Sequence, residues 1–344
     1  MKKKTTVVVS VLAVILIAVA GAIVFKSHQD NTAQNNNQKE ETKMKWISIA
    51  TVLLVLVSVE STAQITIKTE YFGTSAYRDE HNQKVGSSKG SAMVYHGSAN
   101  LPLLMKKNES NQPTIWGIGL SGDYASLNNK NIAEPLVLSE ILNLQMSLFH
   151  VRPLSEKWSM MASVGVGVYT GDTRFSHLRF RNVLGSAGLV FVRRILPNLE
   201  LGAGLALNNA FGYPMAFPAL YVNWNYGHKL TCSFSALDGA NLAVGYNVNK
   251  TFSISFITEM GGQMALTELN GDDKIFTHQY IVVGFRPEFK VSKHISLPVT
   301  VGINAVRNAY YDGRSLSAFF KAMGREYDPC FQIAPYFSVS IVLQ

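Results

Sequence analysis

Residues 331–343 read FQIAPYFSVSIVL, a stretch in which large apolar residues alternate with small or polar ones. Residues 295–303 (ISLPVTVGI) and 199–207 (LELGAGLAL) repeat the pattern, as do residues 158–166 and 252–258. Because successive side chains of a β-strand point to opposite faces, each segment has one apolar face and one face of small or polar residues. The chain is therefore predicted to be all-β.

The polar faces of these segments carry Gly, Ser, Asn and Gln, and the whole chain is poor in charge. Only 16 % of its 344 residues are charged, whereas an average soluble domain has roughly 25 %. The water-facing side of a soluble β-sandwich usually carries charged residues, whereas small polar residues suit the interior of a barrel whose apolar face contacts lipid. The sequence predicts a single antiparallel transmembrane β-barrel, with a soluble sandwich as the alternative.

Turn and loop residues divide the chain after residue 63 into about fourteen predicted strands. These are 65–72, 91–104, 114–125, 137–151, 157–169, 182–194, 199–208, 218–226, 229–236, 240–248, 251–261, 275–289, 294–307 and 331–343. One missed or invented hairpin would make the count twelve or sixteen. The predicted long loops are 73–90, 126–136, 170–181, 209–217, 262–274 and 308–330, and they mostly alternate with short turns. Such alternation is typical of outer-membrane barrels.

Two export-like segments precede the predicted barrel. The first has three lysines and then an apolar run at residues 7–25, and the second has a Met-Lys-Trp start, an apolar run and the ending STAQ at residues 61–64. A basic start, an apolar core and small residues before a break are typical of a cleaved secretory signal. An inner-membrane anchor is the alternative for the first run. The predicted division is an extra apolar segment and polar linker at 1–43, a signal peptide at 44–63 and an outer-membrane β-barrel at 64–344.

The mature chain resembles a family of outer-membrane β-barrel proteins of unassigned function from Gram-negative bacteria. The resemblance rests on STAQ (61–64), FGYPMAFP (211–218) and the strand 331–343. It implies the barrel fold and a location in the Gram-negative outer membrane, and it brings no catalytic residues. Strand 331–343 also resembles the insertion signal of such barrels, so outer-membrane lipid and the barrel-assembly machinery are the expected partners.

Odd- and even-numbered residues of a strand lie on opposite faces, and we call this assignment parity. Parity places ten charged or polar side chains on the inner face of the barrel. They are Lys68, Glu70, Asp123, Asn143, Gln145, Glu259, His278, Tyr280, Arg286 and Glu288. Charges of both signs inside a barrel either line a pore and set its selectivity, or pair with one another and close it. The sequence leaves two functions open: a narrow porin-like channel for small solutes, and a closed barrel that serves as an adhesin, a scaffold or a subunit of a surface assembly.

A lipid-hydrolysing barrel is a third and weaker hypothesis. A hydrolase needs a serine nucleophile beside a histidine base, and YHGSAN (95–100) places His96, Ser98 and Asn100 on one face. The stretch resembles the His-x-Ser-Asn-Gly of outer-membrane phospholipases. The catalytic groups of that family face lipid, whereas parity points these residues inward. The chain is therefore expected not to be an enzyme.

Cofactors, metals and nucleic acid are not expected. The eight histidines show no ligand spacing, and Cys-x-x-Cys does not occur. The formal net charge of the whole chain is +8. Seven lysines and four acidic residues lie in residues 1–63, so the mature chain is only mildly basic. It has no basic stripe that would indicate nucleic acid. The two cysteines, Cys232 and Cys330, are expected to be free thiols.

Overall fold

The computed structural model describes residues 63–132, 138–174, 177–210, 215–227, 229–237 and 239–344. The predicted signal peptide and extra apolar segment lie outside the described residues, as does the first half of FGYPMAFP. No helix among the described residues is long and apolar enough to cross a membrane.

The described strands form one closed antiparallel sheet. They are β1 (Gln64–Arg78), β2 (Lys84–Lys107), β3 (Pro113–Lys130), β4 (Glu140–Pro153), β5 (Trp158–Thr170), β6 (Val183–Leu196), β7 (Leu199–Asn208), β8 (Met215–Tyr226), β9 (Leu230–Ala236), β10 (Ala240–Asn247), β11 (Phe252–Leu269), β12 (Asp272–Lys290), β13 (Ile295–Gly313), β14 (Cys330–Phe331) and β15 (Ala334–Leu343). The short β14 and the longer β15 both pair with β1 and with β13, so together they fill one position in the wall. The predicted fourteen-stranded barrel is confirmed, and a two-sheet sandwich is excluded because the sheet closes on itself.

One end of the barrel holds both described termini and most of the short turns, and we call it the lower end. Its turns include residues 108–112, 154–157, 197–198, 227 and 229, 248–251 and 291–294. The opposite, upper end carries longer connections, a 3₁₀ turn (Phe180–Asn182) and one helix, α1 (Leu316–Met323). The hydroxyl of Ser315 caps α1 by accepting from the backbone N–H of Ala318.

At the upper end several strands run further than expected. The predicted long loop at 262–274 is wrong, because β11 and β12 continue to a two-residue turn at Asn270 and Gly271. Both residues have positive φ, 55° and 84°, the backbone that a tight hairpin of this kind requires. The loop at 73–90 is likewise mostly strand. These extensions lack long runs of large apolar residues, which is why their alternation is weak in the sequence.

Large apolar side chains occupy outward positions around most of the wall. Val164, Leu205, Phe285 and Val301 are each between 56 and 58 % exposed. Trp116, Trp158 and Trp224 also point outward, near the lower end, and are more than two-fifths exposed. The inward positions next to them are mostly small or polar. Apolar residues outside and polar residues inside are the arrangement of a membrane barrel.

The interior of the upper half is filled on the side of β1 to β3. The buried ring of Phe72 packs on Tyr280 and Tyr336, with centroids 4.6 and 5.2 Å apart. Phe276 and Phe331 belong to the same buried cluster. On the facing wall, β7, β9 and β10 present mostly small or polar residues inward, while β8 adds the larger Phe217 and Tyr221. The inward Ser233 stays exposed. The upper part of the lumen is therefore filled next to β1–β3, while an inward residue of β9 stays exposed.

Candidate functional site

The upper parts of β11 and β12 fold into the lumen. Pairing between β10 and β11 stops at Ala240 and Met260, so residues 261–269 have no neighbour on that side among the described strands. Leu266 and Ile275 have outward parity, yet they are buried against Leu184 on the inner face of the opposite wall. We call residues 261–280 the inner hairpin, since both of its faces contact protein inside the barrel.

Two asparagine side chains satisfy the unpaired edge of the inner hairpin. Asn143 on β4 donates from Nδ2 to the carbonyl of Met264 at 2.6 Å and accepts from its N–H at 3.2 Å. Asn182 donates to the carbonyl of Leu266 at 2.6 Å. Buried backbone groups need partners, and a free strand edge is prone to pair with other strands. The asparagine amides thus take the place of a neighbouring strand.

Ionic contacts hold the tip of the inner hairpin. Arg181 pairs with Glu268 and, at 3.0 Å, with Asp273. Arg314 at the end of β13 donates to the carbonyl of Arg181 at 2.8 Å and to that of Ala210 at 3.2 Å. The tip is therefore tied to the rim on the opposite side of the mouth.

Below the inner hairpin, Glu70 is the centre of a charged cluster. Its carboxylate is 0 % exposed and lies 2.7 Å from the ammonium of Lys68. It also accepts from the hydroxyl of Tyr280 at 2.8 Å, from the hydroxyl of Tyr336 and from His96. A buried carboxylate is stable only when it is paired and hydrogen-bonded in this way.

The cluster continues along one side of the lumen towards β12. Lys68 lies 3.2 Å from Glu259 on β11, and Glu259 lies 2.7 Å from Arg286 on β12. Arg286 also donates to the hydroxyl of Thr300 at 2.9 Å. The side chains of Lys68, Glu259 and Arg286 are about one-fifth exposed, so they border open lumen while Glu70 does not.

On the other side the cluster ends at a histidine between two acids. The Nδ1 atom of His96 lies 2.5 Å from Asp123, and its Nε2 atom bonds Glu70. A carboxylate only accepts hydrogen bonds, and only the imidazolium form donates from both ring nitrogens. The geometry therefore fits a charged His96, which balances three carboxylates against three cations.

A cavity of about 270 Å³ lies beside the cluster. It is lined by Lys68, His96, Asn241, Glu259, Met260, Gly261 and Tyr280. Asn241 faces the lumen from β10 and is exposed. The cavity thus sits at the foot of the inner hairpin, with donors and acceptors around it.

In the strand register, all ten side chains predicted from the sequence point inward, but only some of them lie together in the charged cluster. Lys68, Glu70, Asp123, Glu259, Tyr280 and Arg286 lie in the charged cluster. Asn143 holds the inner hairpin, and the fully buried His278 bonds Gln263 at 3.0 Å in the upper core. Gln145 and Glu288 face inward away from the cluster.

Sequence reasoning missed three residues of this site. The sequence suggests His96 only as a hydrolase base. In the structure both of its ring nitrogens bond carboxylates, so neither is available to Ser98. Its inward parity beside Lys68 was the available signal. Tyr336 also had inward parity, whereas Asn182 follows a loop and has no periodicity that would reveal it.

Two further features of the part of the chain that the structure describes concern metal binding and the cysteines. No group of three or more His, Cys, Asp and Glu residues is placed to hold a metal there. Cys232 and Cys330 are both free thiols.

Comparison with known proteins gives a family and a fold. A family model described as a domain of unknown function, DUF6268, matches residues 59–344. No curated protein matches the chain. Among solved structures, the chain is similar to an outer membrane channel from Pseudomonas putida F1, at 10 % identity and a TM-score of 0.43, covering 83 % of this chain and 96 % of that one.

Two further solved structures resemble it at similar distance. The Pseudomonas putida toluene transporter TodX has 10 % identity and a TM-score of 0.37, with coverage of 84 % of this chain and 92 % of that one. The translocator domain of the autotransporter NalP from Neisseria meningitidis has 10 % identity and a TM-score of 0.36, with coverage of 90 % and 98 %. The family match spans every described strand, and the chain therefore belongs to the DUF6268 family and has the fold of an outer-membrane β-barrel.

Proposed function

We propose that the protein spans the outer membrane as a porin-like channel for small polar solutes, and that the inner hairpin closes it at rest. The membrane placement is supported by the outward band of large apolar side chains, since a water-soluble barrel would expose all of them to solvent. Phe285 and Val301, on neighbouring strands, are each more than half exposed. The same strands turn Arg286 and Thr300 inward.

The observation that carries the channel proposal is how the inner hairpin is attached. Its free edge is held by the side chains of Asn143 and Asn182, and its tip by Arg181. A net hydrogen bond contributes only about 0.5–1.5 kcal/mol, so these contacts can break and reform. Continuous strand pairing along that edge would make the closure permanent. The β12 strand of the hairpin stays paired with β13, whereas its contacts with the opposite wall are made by side chains, so the hairpin can move away from that wall while it remains attached to β13.

The charged cluster is the proposed selectivity region. It combines the carboxylates of Glu70, Glu259 and Asp123 with nearby cations, so neither sign dominates. Pores rich in one sign of charge select ions of the other sign. A balanced cluster beside a cavity of about 270 Å³ favours small neutral or zwitterionic solutes.

A closed barrel that serves as a surface adhesin, scaffold or assembly subunit is the second candidate. The filled upper core supports it, because the buried side chains of Phe72, Phe276 and Phe331 occupy part of the lumen. So does α1 at the upper end, where Phe320 and Met323 are 62 and 70 % exposed. Ion current through the barrel separates the two candidates.

The test uses thiol pairs in planar bilayers, in a chain whose natural cysteines are replaced by Cys232→Ser and Cys330→Ser. Asn143→Cys with Met264→Cys puts one thiol on the wall and one on the inner hairpin. Without a cross-linker we expect intermittent current, and a short bifunctional thiol reagent should abolish it.

The matched control pair is Leu148→Cys with Val164→Cys, which face each other on the outer side of β4 and β5. Cross-linking this pair should leave the current unchanged. Absence of current in every sample would contradict the channel and favour the closed barrel. Current that persists after cross-linking the first pair would show that the inner hairpin does not close the path.

A further inference from the structure

The outer surface at the lower end carries a belt of tryptophans and cations that runs from β2 to β6. Parity and register place Lys106, Trp116, Arg152, Trp158 and Arg193 on this outward side. We call these five residues the lower belt. They alternate around the wall as cation, indole, cation, indole, cation.

The two indoles of the lower belt are held in place by neighbours. Trp116 stacks on His150, with centroids 4.0 Å apart and planes 25° apart. The Nδ1 atom of His150 lies 3.0 Å from the carbonyl oxygen of Ile115, which fixes the imidazole. The guanidinium of Arg193 lies 5.4 Å from the ring centroid of Trp158, within the range of a cation–π contact.

The cations of the lower belt have no acidic partner. Lys106, Arg152 and Arg193 are exposed, and none makes an ion pair among the residues that the structure describes. Directly above them, the outward wall is apolar, with Leu104 56 % and Leu148 42 % exposed. The surface thus changes from apolar to cationic over a few residues, with indoles at the boundary.

We propose that the lower belt binds the phosphate headgroups of anionic glycerophospholipids, with their acyl chains on the apolar wall above. Tryptophan is enriched at the level of lipid headgroups, and exposed basic side chains at that level attract anionic lipids. The cations point away from the lumen, so they fit a lipid beside the wall and not a solute inside it. The proposal rests on the membrane placement given under Proposed function, and it does not depend on whether the barrel conducts.

The test measures lipids that stay bound to the full chain. The barrel is reconstituted in phosphatidylcholine containing phosphatidylglycerol, and the lipids that remain attached are counted by native mass spectrometry. We expect the natural chain to retain phosphatidylglycerol in preference to phosphatidylcholine. The triple variant Lys106→Gln, Arg152→Gln and Arg193→Gln should lower that preference at least about tenfold.

The matched control removes the same charge from the same end but from the turns before β9, β11 and β13, with Lys229→Gln, Lys250→Gln and Lys293→Gln. It should keep the preference of the natural chain. Equal loss in both triple variants, or no preference in a natural chain whose heat-modifiable gel migration shows a folded barrel, would overturn the lower belt as a lipid site. A chain that never inserts would overturn the membrane placement itself, and that outcome is visible on the same gel.

Discussion

Glu70→Ala is expected to destabilise the barrel by about 3–5 kcal/mol, the usual cost of leaving buried charges and donors without their partner. Glu70 is 0 % exposed and binds four donors. After its removal Lys68 keeps Glu259, so that charge stays paired. The hydroxyls of Tyr280 and Tyr336 lose their carboxylate acceptor, at about 1–3 kcal/mol for each unsatisfied group. These two losses together account for most of the expected effect.

The assay is urea unfolding of the folded barrel in phospholipid vesicles, followed by tryptophan fluorescence. The matched control is Glu200→Ala, which removes a carboxylate whose pair with Arg194 is 3.4 Å long, with side chains 52 % (Arg194) and 32 % (Glu200) exposed. Such a pair contributes about 0–1 kcal/mol. The reasoning is refuted if the free energies of unfolding of the two variants agree within about 0.5 kcal/mol, the scatter expected for an ordinary surface substitution.

Three further predictions concern the inner hairpin, the wall and a loop. Asn143→Ala removes the two hydrogen bonds to the backbone of Met264, each worth about 0.5–1.5 kcal/mol. The open fraction of single-channel records should therefore rise several-fold. An unchanged open fraction would argue that Asn143 does not hold the inner hairpin closed. Gly302→Ala would place a Cβ 2.1 Å from a backbone oxygen of β12, so it should lower the free energy of unfolding in urea by about 1–3 kcal/mol. Gly185→Ala, with nothing within 4 Å of the new Cβ, should leave it nearly unchanged. Equal losses in the two variants would contradict the packing. In the loop after β5, the hydrogen bond from the Arg174 side chain lowers the pKa of the Asp172 carboxyl. The contact should therefore persist below pH about 4, the ordinary pKa of Asp, and be lost only as the pH falls through the lowered value. Carboxyl NMR titration checks this, and Arg174→Gln should raise the pKa only part of the way to its ordinary value, because the backbone N–H of residue 174 and His177 also bond this carboxylate.

The fold follows from the sequence because a period of two is a local property. Each stretch such as residues 199–207 shows its own apolar face, and no distant contact is needed to recognise it. The strand extensions at the upper end were missed where the alternation weakens. Asn270-Gly271 is a hairpin signal that was present in the sequence, and it marks the one turn that would have replaced the predicted loop at 262–274.

The arrangement inside the barrel is harder to predict because parity says which face a residue occupies and not what lies opposite. Lys68 and Glu259 are 191 residues apart in the chain and meet only when the wall closes. Leu266 and Ile275 have the pattern of lipid-facing residues, yet they contact the opposite inner wall. Their burial depends on the hairpin bending inward, which a pattern along a single strand does not contain.

The central claim is that the apolar side of each strand contacts acyl chains and the polar side contacts the lumen. It is tested most directly with a fluorescent thiol label at Leu205→Cys, on the outer side, or at Ser233→Cys, on the inner side, in the background without the natural cysteines. In vesicles containing lipids brominated along the acyl chain, the label at position 205 should be strongly quenched and the label at position 233 should not. Equal quenching at both positions, or quenching of the label at position 205 by aqueous iodide, would contradict the account.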